Sequence, residues 1–348
     1  MPLLRSGNCA RVSLSGCCQA LGRLCPFAGS LLTRSLLFWG LSWSTGCNSS
    51  GDSPDDFDWS SPDATLGSYQ PCSPQSRVGA FVIELGDGFT SVRGQVYDAV
   101  TPRDVPVQVA AEGECQLFTA PNMMCNPLCD ASSQVCTSDR LCQAKPEPHD
   151  LGRVQVRGLR VPLRMAANQV TKSYANPASA ALPHPGFEPG ASMELSTSGG
   201  DYAPIALLGW GVTGLEGVPE QIPVRSQRPL ELSWLPPADA GPARVQLNLN
   251  INHHGSSSNW IECDVADVGA AVIPASLIDA LLERGRSGYP TLTVTRRSVS
   301  SAEIAPGCVE LQVASSTVSD VQLEGFQSCS GPGDCEPGQR CLPEFYCE

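Results

Sequence analysis

From residue 77 onward, apolar and polar positions alternate with a period of two, the pattern of strands buried on one face. VGAFVIEL (78 to 85) is followed by Val92, Gly94 and Val96 set against Arg93, Gln95 and Tyr97. In GRVQVRGLRV, Val154, Val156 and Leu159 interleave with Arg153, Gln155, Arg157 and Arg160. Farther on, Leu230, Leu232 and Trp234 oppose Glu231 and Ser233, and Val245, Leu247, Leu249 and Ile251 oppose Arg244, Gln246, Asn248 and Asn250. TLTVT and CVELQV carry the pattern through Leu292, Val294, Val309, Leu311 and Val313. Short alternating strands joined by glycine- and proline-rich turns predict an all-β fold, an antiparallel β-sandwich in one or two domains. The helical period occurs once: after Pro274, residues Leu277, Ile278, Leu281 and Leu282 form one apolar face and Gly285 is placed to end it. That helix is expected to cover a sheet edge or a sandwich end.

The pattern also divides the chain. Residues 1–46 read as a leader with an export signal, and 47–76 as a flexible acidic linker rich in Ser, Pro, Asp and Gly. Residues 77–185 form a first β region interrupted by a cysteine-rich insertion at 122–146. Residues 186–322 form a second, and 326–348 a C-terminal disulfide-rich module.

The leader decides the compartment. Arg34 precedes an apolar run from Leu36 to Trp43, which ends in Ser44, Thr45 and Gly46 directly before Cys47. Cation, apolar core and small residues follow in the order of an export signal. A run of about ten residues is too short to span ~30 Å of hydrocarbon. Thr45-Gly46-Cys47 resembles the end of a bacterial lipoprotein signal, which implies diacylation of Cys47 and a new N-terminus there. The family usually has Leu where Ser44 stands, so cleavage near Gly46 without a lipid is the alternative. Residues 1 to 30 carry Arg5, Arg11, Arg23 and four cysteines but no acid. They read as an upstream extension before a start near Leu31 or as an organellar transit peptide.

Charge narrows the partners. The chain has 22 basic and 35 acidic residues, and without residues 1–46 the net charge is −17. Such a surface repels phosphate backbones, which argues against nucleic acid as a partner. The acids Asp52, Asp55, Asp56 and Asp58 are compatible with calcium but read first as solvated linker charge.

Beyond Cys47 there are twelve cysteines, an even number that in an exported chain implies six disulfides. Cys329, Cys335, Cys341 and Cys347 lie in a segment too small to fold on apolar burial alone; first-to-third and second-to-fourth pairing is expected. Cys125, Cys129, Cys136 and Cys142 form a similar four. Cys72 and Cys115 are left as one pair, and Cys263 with Cys308 as another. Zinc is the competing reading, but neither cluster contains C-x-x-C and no metal or cofactor is expected.

Catalytic motifs are sparse. Residues 209 to 214, GWGVTG, match G-x-G-x-x-G, yet Gly217, Pro219 and Pro223 oppose the helix that would hold a pyrophosphate. His253 and His254, with Asp264 and Asp267 nearby in sequence, form the single suggestive constellation for acid-base or metal chemistry. Adjacent strand residues face opposite ways, so a strand end entering a polar loop is the plainer explanation.

LELSWLPPADAGPARVQLNLN resembles the second and third strands of fibronectin type III-like domains, with Trp234 as the buried aromatic. The CNPLCDASSQVC insertion, the run IECDVADVGAAVIPASLIDALL and the cysteine-rich tail together resemble uncharacterised bacterial cell-surface lipoproteins. The resemblance implies a protein lipid-anchored to the outer membrane or cell surface, with a soluble periplasmic or secreted protein as the alternative. The leading expectation is a non-catalytic binding or structural module that meets another protein or a polysaccharide through exposed loops and aromatics such as Trp210, Trp260 and Tyr346. A secreted hydrolase or metal-dependent enzyme using His253, His254 and Asp264 is the second. The third makes the two disulfide modules themselves the ligands of another protein.

Overall fold

The computed structural model describes residues 68–120, 124–177, 181–252 and 258–348. The export signal, Cys47, His253 and His254 lie outside them. The described residues are all-β with one α-helix. The first half of the chain contains β1 (Arg77–Leu85), β2 (Thr90–Val96), β3 (Val107–Glu112), β4 (Cys115–Thr119), β5 (Gln134–Cys136), β6 (Cys142–Ala144), β7 (Val154–Arg157), β8 (Leu163–Met165) and β9 (Tyr174–Ala175). Then come β10 (Ser192–Thr197), β11 (Ala206–Trp210), β12 (Gln221–Val224), β13 (Leu230–Ser233), β14 (Arg244–Asn250), β15 (Asn259–Ala266) and β16 (Ala270–Ile273). α1 (Ala275–Leu282) precedes two long strands, β17 (Thr291–Ile304) and β18 (Gly307–Leu323).

A ten-stranded sheet is the backbone of the architecture. It runs in the order β3-β4-β15-β14-β17-β18-β1-β2-β9, with β12 alongside β18. Pairing is antiparallel except for β1 and β12, which both run parallel to β18. This sheet interleaves strands from both sides of residue 185, so the two expected β regions share it. A four-stranded sheet, β11-β10-β7-β8, packs on it through β11 against β17 and β18. The two-stranded sheet β13-β16 and α1 cover the other end. α1 buries Leu277, Ile278 and Leu281, as its apolar period predicts, and rests on β15, β4 and β3.

The long sheet keeps both hydrophobic cores on one face. Along β18, Leu311, Val313 and Ser315 point the same way; Ser315 lies opposite Arg296, and Arg296 opposite Val245. One core gathers Phe81, Ile83, Leu195, Leu207, Leu311 and Val313. The other gathers Trp234, Leu247, Leu249, Ile261, Ile278 and Val294. Gly94 in β2 is where the first core needs a glycine, because an added Cβ would come within 2.2 Å of the Phe81 ring.

Arg296 shares that face and is buried with Asp267; their side chains are 2% and 0% exposed. Arg296 Nε donates to Asp267 Oδ2 at 2.6 Å and Nη2 to Oδ1 at 3.2 Å. Its other N–H groups reach Thr213 Oγ1, Gly214 O and Leu235 O, and Trp234 Nε1 donates to Asp267 Oδ1. All five donors of the guanidinium are thereby met, the condition under which a buried charge is tolerated.

The opposite face of the sheet carries a correction. Residues 69–76 fall within the expected flexible linker, yet they lie along this face: Gln70 N donates to Val299 O at 2.9 Å and Cys72 N to Glu310 Oε1 at 2.7 Å. A second correction concerns the cysteines. Cys72 bonds Cys308 rather than Cys115, and Cys115 bonds Cys263. The cause is strand pairing: β4 lies against β15 with Cys115 directly opposite Cys263. The segment before β1 meanwhile brings Cys72 to the start of β18, where Cys308 N donates to Ser76 O. Nearness along the chain is a poor guide where the sheet joins distant segments.

Candidate functional site

Asp264, on β15, faces outward with Arg244 and Arg297, its neighbours on β14 and β17. Arg244 Nε donates to its Oδ1 at 2.5 Å, Arg297 Nη2 to Oδ2 at 3.0 Å, and the Tyr69 hydroxyl to Oδ2 at 2.5 Å. Both guanidinium groups also stand 5.8 Å from the Tyr69 ring centre. Burial pushes the Tyr69 hydroxyl above the usual phenol range, against the opposing charge of Arg297. Both carboxylate oxygens of Asp264 are thus engaged by chain groups, an arrangement suited to pinning residues 69–72 to the sheet rather than to taking a substrate proton. Asp267 faces the interior and is held by Arg296 and Trp234.

The glycine motif is likewise structural. Gly209 ends its approach to the long sheet so closely that a Cβ would lie 2.7 Å from Val313, and Thr213 and Gly214 accept the Arg296 N–H groups. No helix follows it. The sulfurs of Cys125, Cys129 and Cys136 lie within 4.8 Å of one another, as do those of Cys329, Cys335 and Cys341. Each is spent in a disulfide, Cys125–Cys136, Cys129–Cys142, Cys329–Cys341 or Cys335–Cys347, so none offers a thiolate to a metal.

The expected contact aromatics are half-buried. Trp260 pairs with Phe118 at 5.8 Å between ring centres, Tyr346 stacks on Phe326 at 5.6 Å, and Trp210 lies against Gly241. More exposed apolar side chains lie elsewhere, three of them on the insertion, where Leu128 is 82%, Met124 71% and Leu141 58% exposed. Residue type alone points to the aromatics, whereas Met124, Leu128 and Leu141 stand among cysteines in a loop of polar residues and give no such signal. Their exposure leaves three apolar side chains in solvent on one short insertion.

Beside them the insertion meets the chain that follows β2 in an open groove of about 510 Å³. Tyr97, Arg103, Met124, Leu128, Val135 and Lys145 line it. The two disulfides fix the groove's wall in advance, which lowers the ordering cost of any contact made there. At the wall's base the Ser132 hydroxyl and amide and the Ser133 hydroxyl bind the Asp130 carboxylate and hold it below the usual range.

Comparison of the chain with protein families, with curated proteins and with solved structures returned no match.

Proposed function

We propose that this protein is an exported, lipid-anchored and non-catalytic β-sandwich that acts outside the cytoplasm as a binding module. The observation that carries the reading is that all twelve cysteines beyond Cys47 are paired within the chain. Six disulfides persist in oxidising compartments and are rare in reducing ones. Among the described residues no helix is long and apolar enough to cross a membrane; in this reading the attachment is the lipid on Cys47. The groove at the first disulfide module supports binding as the task, with another protein as the partner class. Asp264, closed off by Arg244, Arg297 and Tyr69, gives the hydrolase reading no support.

Membrane fractionation of a bacterial host that expresses the full chain tests this. The wild type is expected in the membrane fraction and a Cys47→Ser variant in the soluble one, with the same disulfides. Equal distribution of the two would contradict the anchor.

A further inference from the structure

The two disulfide modules are one structural unit present twice. Each joins its first cysteine to its third and its second to its fourth. In each the last two cysteines bracket five residues that turn in the same way. Thr137 N donates to Leu141 O at 2.9 Å in one, and Leu342 N to Tyr346 O at 2.9 Å in the other. Arg140 N donates to Thr137 O at 3.0 Å, and Phe345 N to Leu342 O at 2.9 Å. Arg140 and Phe345 take the left-handed conformation at φ 64° and 61°, each two residues before the last cysteine. An aspartate, Asp130 or Asp334, stands beside the second cysteine of each and binds nearby serines.

What differs is the face that Ser328 and Tyr346 share in the C-terminal unit. There the chain's own turn, residues 286 to 290, is seated. Gly288 N donates to Glu344 O at 2.8 Å and Ser328 Oγ to Gly288 O at 2.7 Å. Tyr289 lies 6.4 Å from Phe345 between ring centres, and the Arg286 guanidinium stands over Phe326. In the first unit Met124 and Leu141 hold the places of Ser328 and Tyr346. They are more apolar than their counterparts and stand exposed.

We propose that this face of the first unit is a docking site for another protein, and that its occupant is an exposed turn in which a small residue is followed by an aromatic one. The occupant follows from the cognate face, which holds such a turn through a backbone N–H and a ring contact. Arg140 holds the place of Phe345 and offers its guanidinium to the ring, Met124 and Leu141 add thioether and aliphatic surface beside it, and Asp139 holds the place of Glu344, whose carbonyl accepts Gly288 N. A second copy of the chain would have to release its own tail to offer residues 286 to 290, which favours a different protein. The inference rests on reading the molecule as an extracytoplasmic binding module.

The test uses the mature chain and a fluorescein-labelled peptide with the sequence of residues 284 to 291, Arg-Gly-Arg-Ser-Gly-Tyr-Pro-Thr, followed by anisotropy. Saturable binding is expected, weakened about tenfold or more by Leu141→Glu in the protein or by alanine in place of the peptide's tyrosine. Met124→Ser should weaken it as well, and neither protein variant should shift the melting temperature. Absence of saturable binding to a fully oxidised sample would overturn the docking site and leave the export reading standing. Binding indifferent to Leu141→Glu would also overturn it, as would self-association abolished by that substitution, which would give the face to a second copy. Free thiols in the same sample, detected by alkylation, would instead count against export.

Discussion

Arg296 and Asp267 form a nearly solvent-free ion pair between the two hydrophobic cores of one sheet face, with Nε 2.6 Å from Oδ2. Removing one partner strands the other in low dielectric, so Arg296→Ala is expected to cost about 3–5 kcal/mol. The double variant Arg296→Met with Asp267→Leu should cost markedly less than either truncation alone, since no charge is left unpaired. Urea unfolding of Arg296→Ala, Asp267→Ala and the double variant checks this. A small loss in Arg296→Ala would mean that water or a neighbouring polar group replaces the pair.

Tyr69 and Tyr174 give an alkaline prediction. Burial raises both hydroxyls above the usual phenol range. The unfolded phenols lose their protons near pH ~10 while the folded ones keep theirs. Stability from these groups is therefore full below about pH 10 and is lost as pH rises toward the folded values. Replacing both by Phe should flatten the fall of melting temperature on the alkaline side. An unchanged slope would show that neither phenol titrates on unfolding.

The disulfides differ in reach. Cys72–Cys308 spans 236 residues, whereas the four bonds of the two small units span 11 to 13. In the chain-entropy model a loop of about 15 residues gains ~3 kcal/mol and one of about 100 gains ~4.7. Serine at both Cys72 and Cys308 should destabilise the sheet by roughly 2–5 kcal/mol and release residues 69–76, which hydrogen exchange at the amides of positions 70 and 72 would report. Protection there equal to wild type would assign the pinning to Tyr69 and its arginines alone.

Acid should loosen the small units before the sheet. Hydrogen bonds from Ser132 and Ser133 hold Asp130 low, and those from the Ser330 amide and hydroxyl and the Gly331 amide hold Asp334 low. A carboxylate depressed in the folded state contributes above its unfolded pKa near ~4, and that contribution is lost as pH falls through the folded value. The Ser132 and Ser330 amides should lose exchange protection below about pH 4, while those of β17 and β18 keep theirs. Simultaneous loss in both places would contradict independent units.

The strands were legible because burial on one face writes alternation into the chain; Leu230 to Trp234 and Val245 to Ile251 needed no more than that. The helix was legible from Leu277, Ile278 and Leu281. Sheet order was not, because the pairing of β1 with β18 joins residues more than two hundred apart and leaves no local trace. The same long-range pairing decides the partners of Cys72, Cys115, Cys263 and Cys308, which spacing along the chain does not reveal. Polar Ser, Pro and Gln around Tyr69 and Cys72 read as linker, although one ring and one disulfide suffice to seat the segment. Arg296 reads as surface charge, since its inward direction depends on a register set by β14 and β18. The exposed face of the first disulfide unit became visible only against its occupied counterpart, a comparison that needs the two hairpins in space.

Whether the chain works outside the cytoplasm on a lipid anchor can be read from the intact mass of the protein from membranes, before and after reduction and alkylation. The expected chain begins at Cys47 and carries a diacylglycerol, with its remaining twelve cysteines alkylated only after reduction. A chain that retains residues 1–46, or one whose cysteines alkylate without reduction, would contradict it.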